Sequence, residues 1–199
     1  MRIRTLLAAA GGLVVLAGPA YAVTPTPDCN GIAVTDASND QYIAVSTTGA
    51  IARPTVAIDI TDVFLNGSSG SETLNIRVQN LSTASANTVY TFRWDDPATF
   101  GAYYELRADF IGGNAAAGTG FYTIEHGNGA GFGLSSTTGR TFAGAAGVIQ
   151  FDQPSGVTWP TTFTSLDVRA EQYEGNSVFA ELPALRVDTA SATLYTQGC

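Results

Sequence analysis

The sequence predicts an all-β protein, an antiparallel β-sandwich with Greek-key or jelly-roll connections. Hydrophobic and polar residues alternate along most of the chain, as at Leu74, Ile76 and Val78, which have polar residues between them. This two-residue period places successive side chains on opposite faces of a strand. Turns rich in glycine and asparagine separate the alternating runs, and no segment keeps a helical period. We therefore expect many short antiparallel strands.

The alternating runs predict the strands in chain order. They cover residues 55–61, 73–79, 88–94, 102–110, 121–126, 148–152, 165–173, 178–187 and 190–196. Pro183 makes the run 178–187 the least regular of them. The stretch 112–147 is rich in glycine and alanine, and it is predicted to hold the longest loops with short strands between them.

The first 22 residues have the three-part form of a secretory signal peptide. Arg2 and Arg4 form a basic head, an apolar run follows, and Ala20-Tyr21-Ala22 supplies an A-x-A cleavage site. The apolar run is too short to span a bilayer. We therefore expect a mature chain that begins at Val23 and is secreted, either to the medium or to the periplasm.

The two cysteines lie at the ends of the single predicted domain, residues 29–199, which follows an extended, proline-containing leader at 23–28. In an oxidising compartment, Cys29 and Cys199 can pair and clasp both termini to one end of the domain. The loop-entropy model assigns such a long bridge about 5 kcal/mol at most. A bridge between two chains and a pair of free thiols are the alternatives.

The charge of the chain limits the kinds of molecule that we expect it to bind. The net charge is −8, there is no lysine, and the arginines are spaced singly. Nucleic acid is not expected as a partner, because binding to phosphates needs a basic patch. An anionic lipid surface is disfavoured for the same reason. An extracellular polysaccharide or a cell-surface protein is compatible with this charge.

A short acidic turn precedes two strands of a recognisable kind. The turn is Asp36-Ala37-Ser38-Asn39-Asp40, and the strands read Ile58-Asp59-Ile60-Thr61-Asp62-Val63 and Leu74-Asn75-Ile76-Arg77-Val78. With the aromatic-rich strand after them, they resemble the secreted bacterial β-sandwich modules of the DOMON and family 9 carbohydrate-binding superfamily. The resemblance implies a ligand-binding or adhesion module, with sugar, haem or Ca²⁺ as the ligand in different branches.

Calcium is the metal that the acidic turn suits best, because Ca²⁺ takes oxygen ligands from loops. Asp36 and Asp40 lie in the turn, and Asp59 can approach them if the strands are adjacent. The alternative is that these side chains only stabilise the turn by hydrogen-bonding to the backbone. One histidine and two terminal cysteines cannot form a zinc site. Haem held between Met and His is excluded from the mature chain, because the only methionine is Met1.

Polar residues alternate on two of the predicted strands in a way that suits a carbohydrate platform. The candidate ligand-binding residues are Tyr103, Glu105 and Arg107 on one strand and Asp167, Arg169 and Tyr173 on the other. A tyrosine ring can stack on a sugar while charged groups bind its hydroxyls. The alternative is a structural face on which opposite charges pair across neighbouring strands.

The sequence contains no recognisable catalytic motif. His126, the only histidine, precedes a Gly-Asn-Gly turn at a strand end, and no G-x-S-x-G sequence supplies a nucleophile. We therefore expect a secreted, non-catalytic binding module for an extracellular glycan or cell-wall polymer. The alternative is a structural or adhesion protein of the cell exterior without a small ligand, which would self-associate through exposed sheet edges. A hydrolase is the third hypothesis.

Overall fold

A computed structural model describes residues 23–40, 57–67, 72–81, 87–110, 121–128, 131–173 and 186–198. The backbone of these residues forms eleven β-strands. In chain order, the strands are β1 (Val34–Thr35), β2 (Ile60–Asn66), β3 (Thr73–Val78), β4 (Thr88–Asp95), β5 (Ala102–Phe110), β6 (Phe121–Asn128), β7 (Phe132–Ser136), β8 (Gly139–Phe142), β9 (Val148–Asp152), β10 (Thr162–Gln172) and β11 (Arg186–Thr196).

The strands form two antiparallel sheets that pack as a β-sandwich, which confirms the prediction of an all-β, antiparallel sandwich; the Greek-key or jelly-roll connections stay a prediction. The five-stranded sheet has the order β1-β2-β3-β9-β8, and the six-stranded sheet has the order β11-β10-β4-β5-β6-β7. The chain crosses between the sheets after β3, β7 and β9. Strand β10 lies beside β4, so residues far apart in the sequence share one sheet face.

An aromatic core fills the space between the two sheets. On β4 the inward side chains are Tyr90, Phe92 and Trp94, all of which are buried. The ring of Tyr122 on β6 meets the ring of Phe151 on β9 edge-on, with centroids 5.6 Å apart, and so joins one sheet to the other. The alternation seen in the sequence therefore reflects burial of one face of strands β4, β5, β6 and β10.

The strand predictions were right for the regular runs and wrong at several places. The run 55–61 was placed too early, because β2 begins at Ile60 and a turn at residues 57–58 precedes it. Strands β1, β7 and β8 were not predicted individually. All five residues of β7 are exposed, so hydrophobic alternation gives no signal there. The predicted run 178–187 lies mostly outside the described residues.

Both ends of the described chain pack against the sandwich. Thr26 in the leader accepts a hydrogen bond from the side chain of Asn66 at 2.6 Å. The hydroxyl of Tyr195 on β11 donates to the carbonyl of Asn30 at 2.7 Å. Gly198 lies so close to Cys29 that a Cβ at Gly198 would be 2.4 Å from the Cys29 carbonyl oxygen.

Two further predictions concern residues that the structure does not describe. The proposed signal peptide, residues 1–22, and Cys199 both lie outside the described ranges. Secretion and the Cys29–Cys199 pairing therefore stay predictions. The described residues include no helix that is long and apolar enough to cross a membrane.

Candidate functional site

Three aspartates meet at one edge of the sandwich. Asp36 and Asp40 follow β1, and Asp188 lies on β11 in the other sheet. Carboxylate oxygens from the three residues lie within 4.8 Å of one another. We call Asp36, Asp40 and Asp188 the aspartate cluster.

Backbone hydrogen bonds hold the carboxylates around this cluster in place. Asp188 Oδ2 accepts a hydrogen bond from the Ile60 N–H at 2.6 Å, which ties β11 to the start of β2 across the sandwich. Both oxygens of Asp59 accept from the Asn39 N–H at 3.0 Å. Asn39 has a φ of 67°, a left-handed conformation that asparagine tolerates, and it turns the chain between Asp36 and Asp40.

The electrostatic environment of the cluster disfavours negative charge. Burial raises the pKa of Asp188 to about 7, with further contributions from the charges of Asp36, Asp40 and Asp59. Burial likewise raises the pKa values of Asp36 and Asp59. Asp36 Oδ2 has no accessible surface and no hydrogen-bond partner among the described residues. A cation bound here would compensate the like charges and the unsatisfied oxygen.

The predicted set of metal ligands is therefore partly reassembled by the fold. Asp36 and Asp40 come together as expected. Asp59 lies beside them, but both of its carboxylate oxygens accept the hydrogen bond of the Asn39 N–H. Asp188 takes the third position in the cluster. It was missed because its sequence neighbours offer no ligand pattern, although a carboxylate on the inward face of a strand was a usable signal.

A second group of polar residues covers the exposed side of the six-stranded sheet, which we call the outer face. It is composed of the side chains that alternate with the core residues on β4, β5, β6 and β10. Strand register aligns Asp167, Arg93, Glu105 and Glu125 in one row across four strands. The next row holds Arg169, Thr91, Arg107 and Thr123.

The predicted ligand-binding residues thus share the outer face, but they are not on neighbouring strands. Strand β4 lies between β5 and β10 and contributes Arg93, which is not among the predicted ligand-binding residues. An open depression of about 250 Å³ lies between β10, β4 and β5. Its lining includes Arg93, Glu105, Asp167 and Arg169. The carboxylates of Glu105 and Asp167 line this depression, where they can accept hydrogen bonds from a ligand.

Several polar groups of the outer face already have partners. Arg107 pairs with Asp109 at 2.8 Å, and Arg169 pairs with Glu171 at 2.6 Å. Tyr173, which follows β10, donates its hydroxyl to Glu171 at 2.7 Å. The structural alternative, in which charged residues of this face pair with one another, therefore accounts for part of the face. These pairs join residues of the same strand, whereas pairing across neighbouring strands was expected.

Tyr103 is packed on the sheet. The Arg93 guanidinium lies 3.6 Å from the centroid of its ring. The ring also covers Gly127 on β6, where a Cβ would be 2.4 Å from a ring carbon. The Tyr103 hydroxyl donates to Glu125. Arg93 therefore occupies one side of the ring, and stacking of Tyr103 on a sugar stays a prediction.

The loop between β4 and β5 forms a larger cavity of about 430 Å³ next to this face. Arg93, Asp95, Phe100 and Tyr103 are among the residues that line it. Phe100 is fully exposed. Arg93 lines both cavities, so the two adjoin at this residue, and we call the pair of cavities the groove.

The only histidine holds this loop against β6. His126 lies 3.0 Å from Asp96, with Nε2 facing Oδ2. The Ala98 N–H donates to Asp96 at 2.8 Å and is the main reason why the pKa of Asp96 is lowered. The His126 ring stacks on Tyr104 with centroids 4.3 Å apart, and Tyr104 stacks on Trp94. These contacts give His126 a role in positioning the loop.

The comparisons with known proteins give no relative. No family model, no curated protein and no solved structure matches this chain. The resemblance to DOMON-like and family 9 modules therefore stays a prediction.

The aspartate cluster predicts an unusual pH dependence of stability when no metal is present. An acid whose pKa is higher in the folded chain binds its proton more tightly there, so stability falls as the pH rises through that range. For Asp188 the range runs from about 4, the ordinary value, to about 7. In EDTA, we expect the melting temperature to fall between these pH values and to level off above them.

The matched variants are Asp188→Asn and Asp167→Asn. Asp188→Asn removes the titrating group and should make the fall in melting temperature clearly smaller. Asp167→Asn changes an exposed carboxylate on the outer face and should leave the fall unchanged. The melting temperature of each variant is measured at each pH by thermal unfolding followed by circular dichroism. Equal pH profiles for wild type and Asp188→Asn would refute the role assigned to Asp188.

Proposed function

We propose that this protein is a secreted, non-catalytic module that binds an extracellular glycan or cell-wall polymer along the groove of the outer face. The observation that carries the proposal is that two cavities on the outer face adjoin at Arg93. One end of the groove offers the exposed Phe100 ring, and the other offers Glu105, Asp167 and Arg169. An aromatic ring beside several hydrogen-bonding groups is the chemistry that sugars require.

The balance of charges in the groove favours a neutral glycan. In the depression Arg93 and Arg169 stand beside Glu105 and Asp167. The loop cavity adds Asp95 and Asp96, so carboxylates outnumber arginines and an anionic glycan is disfavoured. The chain as a whole has a net charge of −8, which would repel a polyanion. Carboxylates accept hydrogen bonds from sugar hydroxyls, and the guanidinium groups donate to their oxygens. An open groove of this kind admits an internal segment of a polymer as well as a chain end.

The proposal includes a divalent cation, with Ca²⁺ as the candidate, at the aspartate cluster. Asp36, Asp40 and Asp188 supply the oxygen ligands that Ca²⁺ prefers, and the buried Asp36 Oδ2 has no other described partner. The ion would tie the turn after β1 to β11 and so stabilise the edge where the two sheets meet. Its role is structural, because Asp188 is buried in the sandwich, whereas its neighbour Thr189 lines the depression on the outer face.

The proposal also includes the Cys29–Cys199 bridge and export of the chain. The close approach of Gly198 to the backbone of Cys29 supports the bridge, because it brings the residue before Cys199 to Cys29. The signal-peptide pattern of residues 1–22 supports export, and an exported chain meets the oxidising conditions that a disulfide needs.

Glycan binding predicts that Phe100→Ala weakens retention on the polymer without changing stability. Loss of one stacking ring costs about 1 kcal/mol, so the dissociation constant should rise about fivefold. The melting temperature should stay the same, because Phe100 is fully exposed. The assay is a pull-down of the purified protein on insoluble cellulose, chitin, xylan and purified cell walls.

The matched control is Phe121→Ala. Phe121 is 69% exposed on the same sheet but lies at the other end of it, opposite Asp109. This variant should bind like wild type. Equal retention of the two variants would contradict the proposal that the glycan binds in the groove. Failure of wild type to bind any of these matrices would favour the structural alternative, and release of soluble sugar would favour a hydrolase.

The cation predicts stabilisation by Ca²⁺ that depends on Asp36. A ligand at 100 times its dissociation constant adds about 2.7 kcal/mol to the free energy of unfolding. We expect Ca²⁺ to raise the melting temperature of wild type and of Asp167→Asn, and to leave Asp36→Asn unchanged. Calorimetric titration of the EDTA-treated protein checks the same binding directly. If wild type shows neither a heat of binding nor a shift in melting temperature, the aspartate cluster does not bind Ca²⁺.

A further inference from the structure

The edge strand β7 presents an exposed apolar strip. Phe132 is 70% exposed and Leu134 is 61% exposed. Both side chains lie on the outer face, because Phe132 pairs with Gly127 and Leu134 pairs with Glu125 on β6. Strand β7 ends the six-stranded sheet, so nothing in the described part of the chain pairs with its free side.

Backbone hydrogen bonds show which groups of β7 face outward. The Asn128 N–H donates to the Gly131 carbonyl, and the Thr137 N–H donates to the Tyr122 carbonyl, each at 3.0 Å. Bonded pairs alternate along an antiparallel ladder, so Gly133 and Ser135 direct their backbone groups at β6. The N–H and C=O groups of Phe132, Leu134 and Ser136 therefore point away from the sheet.

The strip lacks the features that normally block a sheet edge. Residues 127–139 include no charged residue and no proline, although the chain has a net charge of −8. Edge strands are usually blunted by charges, proline or bulges. Two copies of this acidic chain can therefore approach each other at β7 without bringing like charges together.

We propose that β7 pairs with β7 of a second copy of this chain in antiparallel orientation, with Gly133 on the twofold axis. In this register, Phe132 lies opposite the partner's Leu134, and Leu134 lies opposite the partner's Phe132. The outward N–H and C=O groups of each such pair bond to one another. The interface is isologous, as a twofold dimer requires.

The pairing would continue the sheet through the dimer. A twofold axis perpendicular to the sheet leaves both outer faces on the same side, so the two grooves would face one polymer surface together. Two linked sites raise the apparent affinity for a polymer without any new contact. The dimer itself does not depend on what the groove binds.

Sedimentation of the full protein over a range of concentrations tests the interface, with two leucine variants as a matched pair. Leu134→Lys places a charge on the β7 edge and should raise the dimer dissociation constant at least tenfold. Leu194→Lys places the same charge at an exposed leucine on β11, the other edge of the sheet, and should dimerise like wild type. Monomeric wild type, or equal behaviour of the two variants, overturns the proposal.

A cysteine pair tests the register even if a lysine variant fails to fold. The Cα atoms of two Gly133 residues would lie about 4.5 Å apart in the dimer, within the range of a disulfide. Gly133 has open space where a Cβ would lie. Gly133→Cys should therefore give a doubled mass without reductant. Ser135→Cys should not, because its two copies would be about 14 Å apart. Crosslinking through Ser135→Cys alone overturns the register.

Discussion

The aromatic core between the sheets is the constraint on which the rest of the structure depends. Because Tyr90, Phe92 and Trp94 are buried on one side of β4, Thr91 and Arg93 must face the other side. The register with β5 and β10 then places Glu105 and Asp167 on either side of Arg93. Trp94 stacks on Tyr104, and Tyr104 stacks on His126, so the core also positions the β4–β5 loop. The groove is thus a consequence of how the core packs.

The aspartate cluster shows a second way in which the two sheets depend on each other. Asp188 on β11 accepts a hydrogen bond from Ile60 on β2, so a buried carboxylate links the sheets at their edge. Burial, together with the charges of Asp36, Asp40 and Asp59, raises the pKa of Asp188, so a charged Asp188 opposes folding. A cation bound among these carboxylates would compensate their negative charge.

Residue periodicity was enough to predict the fold class and most strands of the six-stranded sheet. It could not predict that β10 lies beside β4, because that pairing joins residues about 75 positions apart, as Asp167 and Arg93 are. Arg93 was missed for this reason, whereas Asp188 was missed because its sequence neighbours offer no ligand pattern. Strand β7 was missed because a fully exposed strand has no apolar alternation. The acidic turn was visible in the sequence, since Asp36 and Asp40 are close along the chain.

The most direct test of the groove is to map the bound glycan on the protein by NMR. Soluble oligosaccharides prepared from a retained polymer would be titrated into isotope-labelled protein. If the glycan binds in the groove, the largest chemical-shift changes will occur at the amides of Arg93, Phe100, Glu105 and Asp167, with little change at Phe121. Changes confined to the five-stranded sheet, or no changes at a saturating concentration, would contradict the assignment of the outer face as the binding surface.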